Sequence, residues 1–177
     1  METREKHILP EAEKLVEILI RQGRTVTFAE SCTAGLCAAA LVDVPNASRV
    51  FNESYVTYAY GSKEKLLGVS HESVEKFGVV SEQVAGEMAK GAAEKSGSEL
   101  AAGISGIAGP GGGTPEKPVG TVCFGFFVNG SLFVCTRHFG AIGRREVREA
   151  TVRFALQELC RLAEEEKGEN KERADSL

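Results

Sequence analysis

Residues 24–44 read RTVTFAESCTAGLCAAALVDV, and this stretch decides the fold. The segment RTVTFA at 24–29 alternates in the way that predicts a strand. The apolar, small-residue run LCAAALVDV at 36–44 predicts a buried helix that ends before Pro45. The intervening ESCTAG therefore makes a sharp turn from strand to helix. Sites in α/β domains gather where strands end and helices begin, so this turn is a candidate site.

Helices and strands alternate on both sides of this stretch. An amphipathic helix over 11–22 begins after Pro10 and ends at Gly23. The remaining predicted elements are a strand over 50–60, a short helix at 63–68, two helices capped by Ser70 and Ser81, a strand over 99–105, a hairpin over 119–139 around Asn129-Gly130, and a last helix from near Arg144. This order predicts a single three-layer α/β/α domain with a mixed β-sheet. We expect the domain to span residues 1–168 and the charged segment 169–177 to be a disordered tail.

Composition excludes several functional classes. The chain has 177 residues, 42% of them hydrophobic, and a net charge of −4, which argues against a general nucleic-acid surface. No apolar run approaches the roughly 20 residues needed to cross a bilayer, and the N-terminus lacks the apolar core of a signal peptide. We therefore expect a cytoplasmic protein without a membrane or nucleic-acid partner.

Cysteine and histidine spacing predicts neither a disulfide nor a metal site. The five cysteines form no CxxC pair, and the Asn129-Gly130 turn places Cys123 and Cys135 on opposite faces of the hairpin. The three histidines have no ligand spacing with one another or with the cysteines. We expect no bound metal.

Ser31 is the candidate nucleophile in the ESCTAG turn. A serine at the N-terminal end of the following helix would lie beside free backbone N–H groups, which suit an oxyanion. The alternative, and the commoner role, is that Ser31 or Thr33 caps the helix. The required base has two candidates from the residues alone, a histidine such as His138 or a lysine such as Lys63.

A second loop, SGIAGPGGG at 105–113, is rich in glycine and permits close approach of a ligand to the backbone. It is not a Walker A loop, because no Gly-Lys-Ser/Thr follows the glycines. Taken by itself the loop is equally consistent with a flexible surface connection.

Five segments together resemble the CinA C-terminal domain family, and the resemblance covers about residues 8–164. They are AESCTAG at 29–35, VTYAYGSKEKLLGV at 56–69, GVVSEQVAGEMAKGA at 78–92, GISGIAGPGGGTPEKPVGTV at 103–122 and RREVREATVRFALQEL at 144–159. The resemblance implies a three-layer α/β/α fold and deamidation of nicotinamide mononucleotide, without metal or organic cofactor. The sequence is similar to the stand-alone form, and members of the family often form homo-oligomers.

The resemblance also implies a site. Its catalytic residues match Ser31 as nucleophile, Lys63 as base, and Tyr58 and Ser105 as supporting groups. The implied substrate-binding residues are Thr33, Ala34, Gly35, Gly106, Gly109, Gly111, Gly112 and Arg144, with Arg145 as the alternative arginine.

The chain departs from the family at Ala34 and Tyr60, where glycine and asparagine are common, and at 141–143, where Gly-Asp usually precedes the arginine. The departures at Tyr60 and 141–143 leave two alternatives open. One is a non-catalytic nucleotide-binding module, and the other is an amidase for a different small amide.

Overall fold

Helices and strands alternate along the chain in the computed structural model, which describes the backbone of residues 8–174 and the side chains of residues 8–165. The elements are α1 (Pro10–Gln22), β1 (Val26–Glu30), α2 (Leu36–Val42), a 3₁₀ turn (Ala47–Arg49), β2 (Tyr55–Val56), α3 (Tyr60–Leu67), α4 (His71–Phe77), α5 (Glu82–Ser96), β3 (Leu100–Gly106), β4 (Thr121–Val128), β5 (Ser131–His138) and α6 (Arg144–Ala174).

The five strands form one mixed sheet in the order β2-β1-β3-β4-β5. β2, β1 and β3 run parallel, whereas β4 and β5 pair antiparallel with their neighbours. Helices α1, α2 and α6 cover one face, where the main core lies, and α5 covers the other with α3 and α4 packed against it. The predicted three-layer α/β/α architecture with a mixed sheet is confirmed.

Small residues bring α5 close to the sheet. A Cβ atom on Gly103 of β3 would lie 2.2 Å from the Ala85 carbonyl oxygen, and one on Gly125 of β4 would lie 2.4 Å from the same atom. Real Cβ atoms do not approach an oxygen so closely, so only glycine fits beneath α5 at both positions. The close packing of α5 on the sheet fixes the position of β3, and β3 leads into the glycine-rich loop.

The glycine and serine residues that predict helix ends are at the observed ends of three helices. Gly23 ends α1 in the left-handed conformation, and the hydroxyls of Ser70 and Ser81 accept backbone N–H bonds as N-caps. The Asn129-Gly130 hairpin is confirmed, with Val128 opposite Ser131. The predicted placement of Cys123 and Cys135 on opposite faces is confirmed as well, because Cys123 lies opposite Thr136 and Cys135 lies opposite Phe124.

The strand predicted over 50–60 is confirmed only in part. Phe51 makes an isolated bridge to Val26, and only Tyr55 and Val56 form strand β2. The chain then leaves the sheet, and Tyr60 begins α3 instead of ending a strand. Between the Phe51 bridge and β2, side chains take the place of the backbone ladder, because the Thr27 hydroxyl donates to the Glu53 carbonyl and the Ser54 hydroxyl donates to the Phe28 carbonyl, both at 2.9 Å.

The predicted buried helix after ESCTAG is shorter and more exposed than expected. α2 has seven residues, and only Cys37 and Leu41 among them are buried. At the other end of the chain, α6 continues to Ala174, into the segment predicted as a disordered tail, and residues 175–177 lie outside the described part. The division of the chain at residue 168 stays a prediction. No helix within residues 8–174 is long and apolar enough to cross a membrane.

Candidate active site

The carboxyl ends of the three parallel strands meet at one edge of the sheet. Glu30 is in register with Ile104 of β3 and with Val56 of β2, so the residues that follow these three positions are neighbours. The Ser31 N–H donates to the Ile104 carbonyl at 3.1 Å, and the Thr57 N–H donates to the Glu30 carbonyl at 2.9 Å. The sheet itself therefore positions the turn that carries Ser31.

A cavity of about 250 Å³ lies at this edge. It is lined by Ser31, Cys32, Tyr58, Tyr60, Lys63, Val79, Val80, Ser105, Gly106, Ala108 and Arg144. The structure thus brings together all four residues expected to be catalytic, together with one glycine and the arginine of the expected substrate-binding set. Concave sites with a few convergent polar groups are the usual form of small-molecule sites.

Lys63 and Ser31 are in direct contact. The Lys63 Nζ lies 3.0 Å from Ser31 Oγ, 2.5 Å from the Thr57 carbonyl oxygen and 3.4 Å from the Tyr58 carbonyl oxygen. A neutral amine has two N–H donors and one lone pair. If the two carbonyls accept the two N–H groups, the lone pair faces the Ser31 hydroxyl, which is the arrangement that a serine–lysine pair needs.

Burial favours the neutral form of Lys63. The residue is 2% exposed, and this desolvation lowers the pKa of its ammonium below the ordinary lysine value. The opposing influence comes from Cys32, but burial raises the pKa of the Cys32 thiol to about 11, so that thiol is uncharged at neutral pH. No carboxylate of the described residues pairs with Lys63. Its surroundings therefore suit a general base.

Glu30 is a residue that the sequence reasoning missed. It is fully buried, and its carboxylate accepts backbone N–H bonds from Gly35 at 2.9 Å, from Cys37 at 3.1 Å and from Ala38 at 3.0 Å. The negative charge at the start of α2 is therefore the Glu30 carboxylate. The sequence did offer one signal for this role, which is an acidic residue directly before Ser31 and close to the start of a helix, where a negative charge is favourable.

The predicted position of Ser31 at the helix start is wrong. α2 begins at Leu36 with Gly35 as its N-cap residue, and the side chain that accepts N–H groups at its start is Glu30, so neither Ser31 nor Thr33 has the capping role. Because Glu30 satisfies the N–H groups of the first turn, Ser31 is left in the turn before the helix. Among the described residues, the backbone N–H groups of Cys32 and Thr33 donate to no acceptor in another residue.

Arg144 lines the cavity and contacts two other parts of the site. Its Nη1 donates to the Gly109 carbonyl at 2.7 Å and its Nη2 to the Tyr58 hydroxyl at 3.0 Å. Arg145 points elsewhere and forms an exposed ion pair with Glu149 at 2.7 Å. Of the two arginines, Arg144 is the one at the site, and its remaining N–H groups are available for an anion.

The other expected residues surround the cavity at different depths. Ser105 is buried and donates its hydroxyl hydrogen to the Val79 carbonyl at 2.6 Å. The expected substrate-binding residues that do not line the cavity are Thr33, whose side chain is fully buried, and Ala34, Gly35, Gly109, Gly111 and Gly112. Tyr60 does line it, and its hydroxyl contacts both Glu64 and the His71 ring.

Histidine is not the partner of Ser31 in the described part of the chain. His138 lies on β5, away from β1, where its Nδ1 lies 3.0 Å from the Thr121 hydroxyl. His71 borders Tyr60 and pairs with Glu64 and Glu75. His7 lies outside the described residues. The sequence left a histidine and a lysine as candidate bases, and the structure places the lysine, Lys63, beside Ser31.

The fold and the site define a class of protein, an α/β/α domain with a serine–lysine pair at the carboxyl ends of its parallel strands. The model of the CinA C-terminal domain family matches residues 9–163. The chain therefore belongs to the CinA C-terminal domain family.

Relatives and solved structures agree with this membership. A CinA-like protein of Kosmotoga olearia is 46% identical over 144 residues, which cover 81% of this chain and 35% of that protein. The chain thus spans about a third of the length of the curated relatives it matches. The competence/damage inducible protein CihA of Agrobacterium tumefaciens superposes with a TM-score of 0.82 at 42% identity, covering 88% of this chain and 97% of that one. A CinA superfamily protein of Escherichia coli superposes with a TM-score of 0.84 at 34% identity, covering 92% and 94%.

Proposed function

We propose that this protein is an amidohydrolase that converts nicotinamide mononucleotide to nicotinate mononucleotide and ammonia. The observation that carries the proposal is the 3.0 Å contact between the Lys63 amine and the Ser31 hydroxyl inside the cavity. A hydroxyl next to an uncharged amine is an activated nucleophile, and a carboxamide is a substrate for such a pair.

The first half of the reaction forms an ester on Ser31. The Ser31 Oγ attacks the carboxamide carbon while its proton passes to Lys63 Nζ. The tetrahedral oxyanion is stabilised by backbone N–H groups of the turn. The candidate is the N–H of Cys32, because this residue lines the cavity and its N–H donates to no other residue in the described part of the chain. Collapse of this intermediate breaks the C–N bond, and Lys63 returns the proton to the leaving nitrogen, which departs as ammonia.

The second half releases the acid. Water takes the place of ammonia, gives a proton to Lys63 and attacks the ester carbon. The C–O bond to Ser31 then breaks, the serine oxygen takes the proton back from Lys63, and nicotinate mononucleotide leaves. The same lysine thus acts as base and acid in both halves.

The mouth of the cavity suits a phosphate and a ribose. Arg144 presents a guanidinium that is partly held by Gly109 and Tyr58, which fixes its direction before an anion binds. The Tyr58 side chain is 60% exposed, accepts from Arg144 and keeps its own hydroxyl hydrogen for a substrate oxygen. Ser105 cannot donate to substrate while it donates to Val79, so its oxygen is an acceptor there.

A different small amide is the second candidate, and Tyr60 favours it. The family commonly has asparagine at this position, whereas here a phenol held by Glu64 and His71 lines the cavity. A fixed aromatic ring narrows the space around the substrate and changes which rings fit.

Ammonia release from the purified protein tests the proposal. The assay uses nicotinamide mononucleotide, nicotinamide riboside and nicotinamide at equal concentrations, with chromatography to identify the acid. We expect turnover of the mononucleotide and a much lower kcat/KM for the two compounds without phosphate. Turnover of another amide in preference to these would favour the second candidate. Binding of the mononucleotide without ammonia release would support a non-catalytic module.

A further inference from the structure

Arg148 holds the turn that carries Ser31. It lies on α6 one turn beyond Arg144, and its guanidinium reaches two consecutive carbonyls of the turn. Its Nε donates to the Cys32 carbonyl and its Nη2 to the Thr33 carbonyl, both at 2.9 Å. Arg148 does not line the cavity, so it acts on the site through the turn.

The second of these bonds begins a chain of polarised peptides. The Thr33 carbonyl belongs to the same peptide unit as the Ala34 N–H, which donates to the Ser31 carbonyl at 3.1 Å. The Ser31 carbonyl in turn shares its peptide unit with the Cys32 N–H. Carbonyl and N–H of a trans peptide point in opposite directions, and hydrogen bonds in series strengthen one another. The positive charge of Arg148 therefore acts, through two peptides, on the N–H beside the nucleophile.

We infer that Arg148 is a positioning residue that orients and polarises the oxyanion-binding backbone of the Ser31 turn. The inference rests on the proposed function. Glu30 anchors the same turn from the other side by accepting the N–H groups of α2. With the Gly35 N–H held by the Glu30 carboxylate and the Cys32 and Thr33 carbonyls held by the Arg148 guanidinium, the turn is anchored while the Cys32 N–H donates to no other described residue.

The test measures two reactions of Ser31 in Arg148→Met, Arg148→Lys and the parent. One is hydrolysis of nicotinamide mononucleotide. The other is phosphonylation of Ser31 by a fluorophosphonate, followed by peptide mass spectrometry, which needs the same oxyanion site but no particular substrate. The matched control is Arg153→Met, because Arg153 is an arginine of the same helix that pairs with Glu11 away from the cavity.

We expect Arg148→Met to lower both kcat and the phosphonylation rate about 10- to 100-fold with KM nearly unchanged, since loss of a whole oxyanion donor costs about 10²–10³ in kcat. The kcat and the phosphonylation rate of Arg148→Lys should lie between those of the parent and of Arg148→Met, because an ammonium can hold one of the two carbonyls securely but cannot bind both in the geometry of a guanidinium. Ethylguanidinium ions should restore part of the Arg148→Met rates, which a merely misfolded variant would not allow. Arg153→Met should match the parent.

Parent-like kcat and labelling in Arg148→Met would overturn the inference, as would a loss confined to KM. If the parent releases no ammonia, the proposed function fails and the labelling rates still decide the role of Arg148. A parent whose Ser31 is not labelled at all would overturn the inference too, because the turn would then have no oxyanion site to position.

Discussion

Replacing Glu30 by glutamine tests how the nucleophile turn is held. The carboxylate accepts three backbone N–H bonds, two on Oε2 and one on Oε1. A glutamine that places its oxygen where Oε2 lies keeps the bonds from Gly35 and Cys37. Its NH₂ group then faces the Ala38 N–H, so that one donor meets another. The opposite orientation of the amide loses two bonds instead of one.

The expected cost follows from these contacts. One unsatisfied backbone donor costs about 1–3 kcal/mol. Loss of the negative charge at the start of α2 adds about 0.3–1 kcal/mol. We therefore expect Glu30→Gln to lower the free energy of unfolding by about 1.3–4 kcal/mol. Glu30→Ala leaves all three N–H groups without their acceptor and should cost more.

Urea unfolding followed by far-ultraviolet circular dichroism gives this quantity, provided the m-value is unchanged. The control is Glu99→Gln, because Glu99 also accepts two hydrogen bonds, from the Thr25 N–H and hydroxyl, but on the surface. Water can replace that acceptor, so the control should cost less than about 1 kcal/mol. If Glu30→Gln lowers the free energy of unfolding no more than Glu99→Gln does, the Glu30 carboxylate does not hold the turn in this way.

Three further outcomes follow from the site. Lys63→Arg should reduce turnover as much as Lys63→Ala, by about 10²–10⁴, because a guanidinium stays protonated, and an active arginine variant would remove Lys63 from the base role. In the parent, kcat/KM should rise with pH as Lys63 loses its proton. Because burial lowers the pKa of Lys63, the inflection should lie below the ordinary lysine pKa. A kcat/KM that falls as pH rises towards the ordinary lysine pKa would contradict a lysine base. Arg144→Ala should raise KM for the mononucleotide about 10- to 100-fold while Arg145→Ala leaves it unchanged, and equal effects of the two would disprove the assignment.

Sequence signals of short range predicted the fold well. Gly23 at a helix end, the serine caps at Ser70 and Ser81, and the Asn129-Gly130 turn each act through one or two neighbouring residues, and all are confirmed. The strand predicted over 50–60 is shorter than expected because side-chain hydrogen bonds of Thr27 and Ser54 replace the backbone ladder before Tyr55. One of these side chains belongs to the neighbouring strand β1, so the segment by itself does not reveal the contact.

The site was less accessible to reasoning from the residues. The residues alone leave Lys63 and a histidine as candidate bases, and the family resemblance selects Lys63, because nothing in its spacing links it to Ser31. Its place beside Ser31 comes from the parallel register of β1 and β2 and from the early start of α3. The roles of Glu30 and Arg148 were missed because both side chains bind backbone atoms. Every residue has such atoms, so the residue types do not indicate which of them a side chain will bind.

Whether Ser31 is the nucleophile is decided by kcat/KM of Ser31→Ala with nicotinamide mononucleotide. Ser31 is half-buried at the cavity and is not a helix cap, so the substitution should leave the unfolding transition close to that of the parent. We expect a fall of at least about 10³-fold in kcat/KM, because a covalent nucleophile is removed. A folded Ser31→Ala protein that keeps most of the parent activity would contradict it.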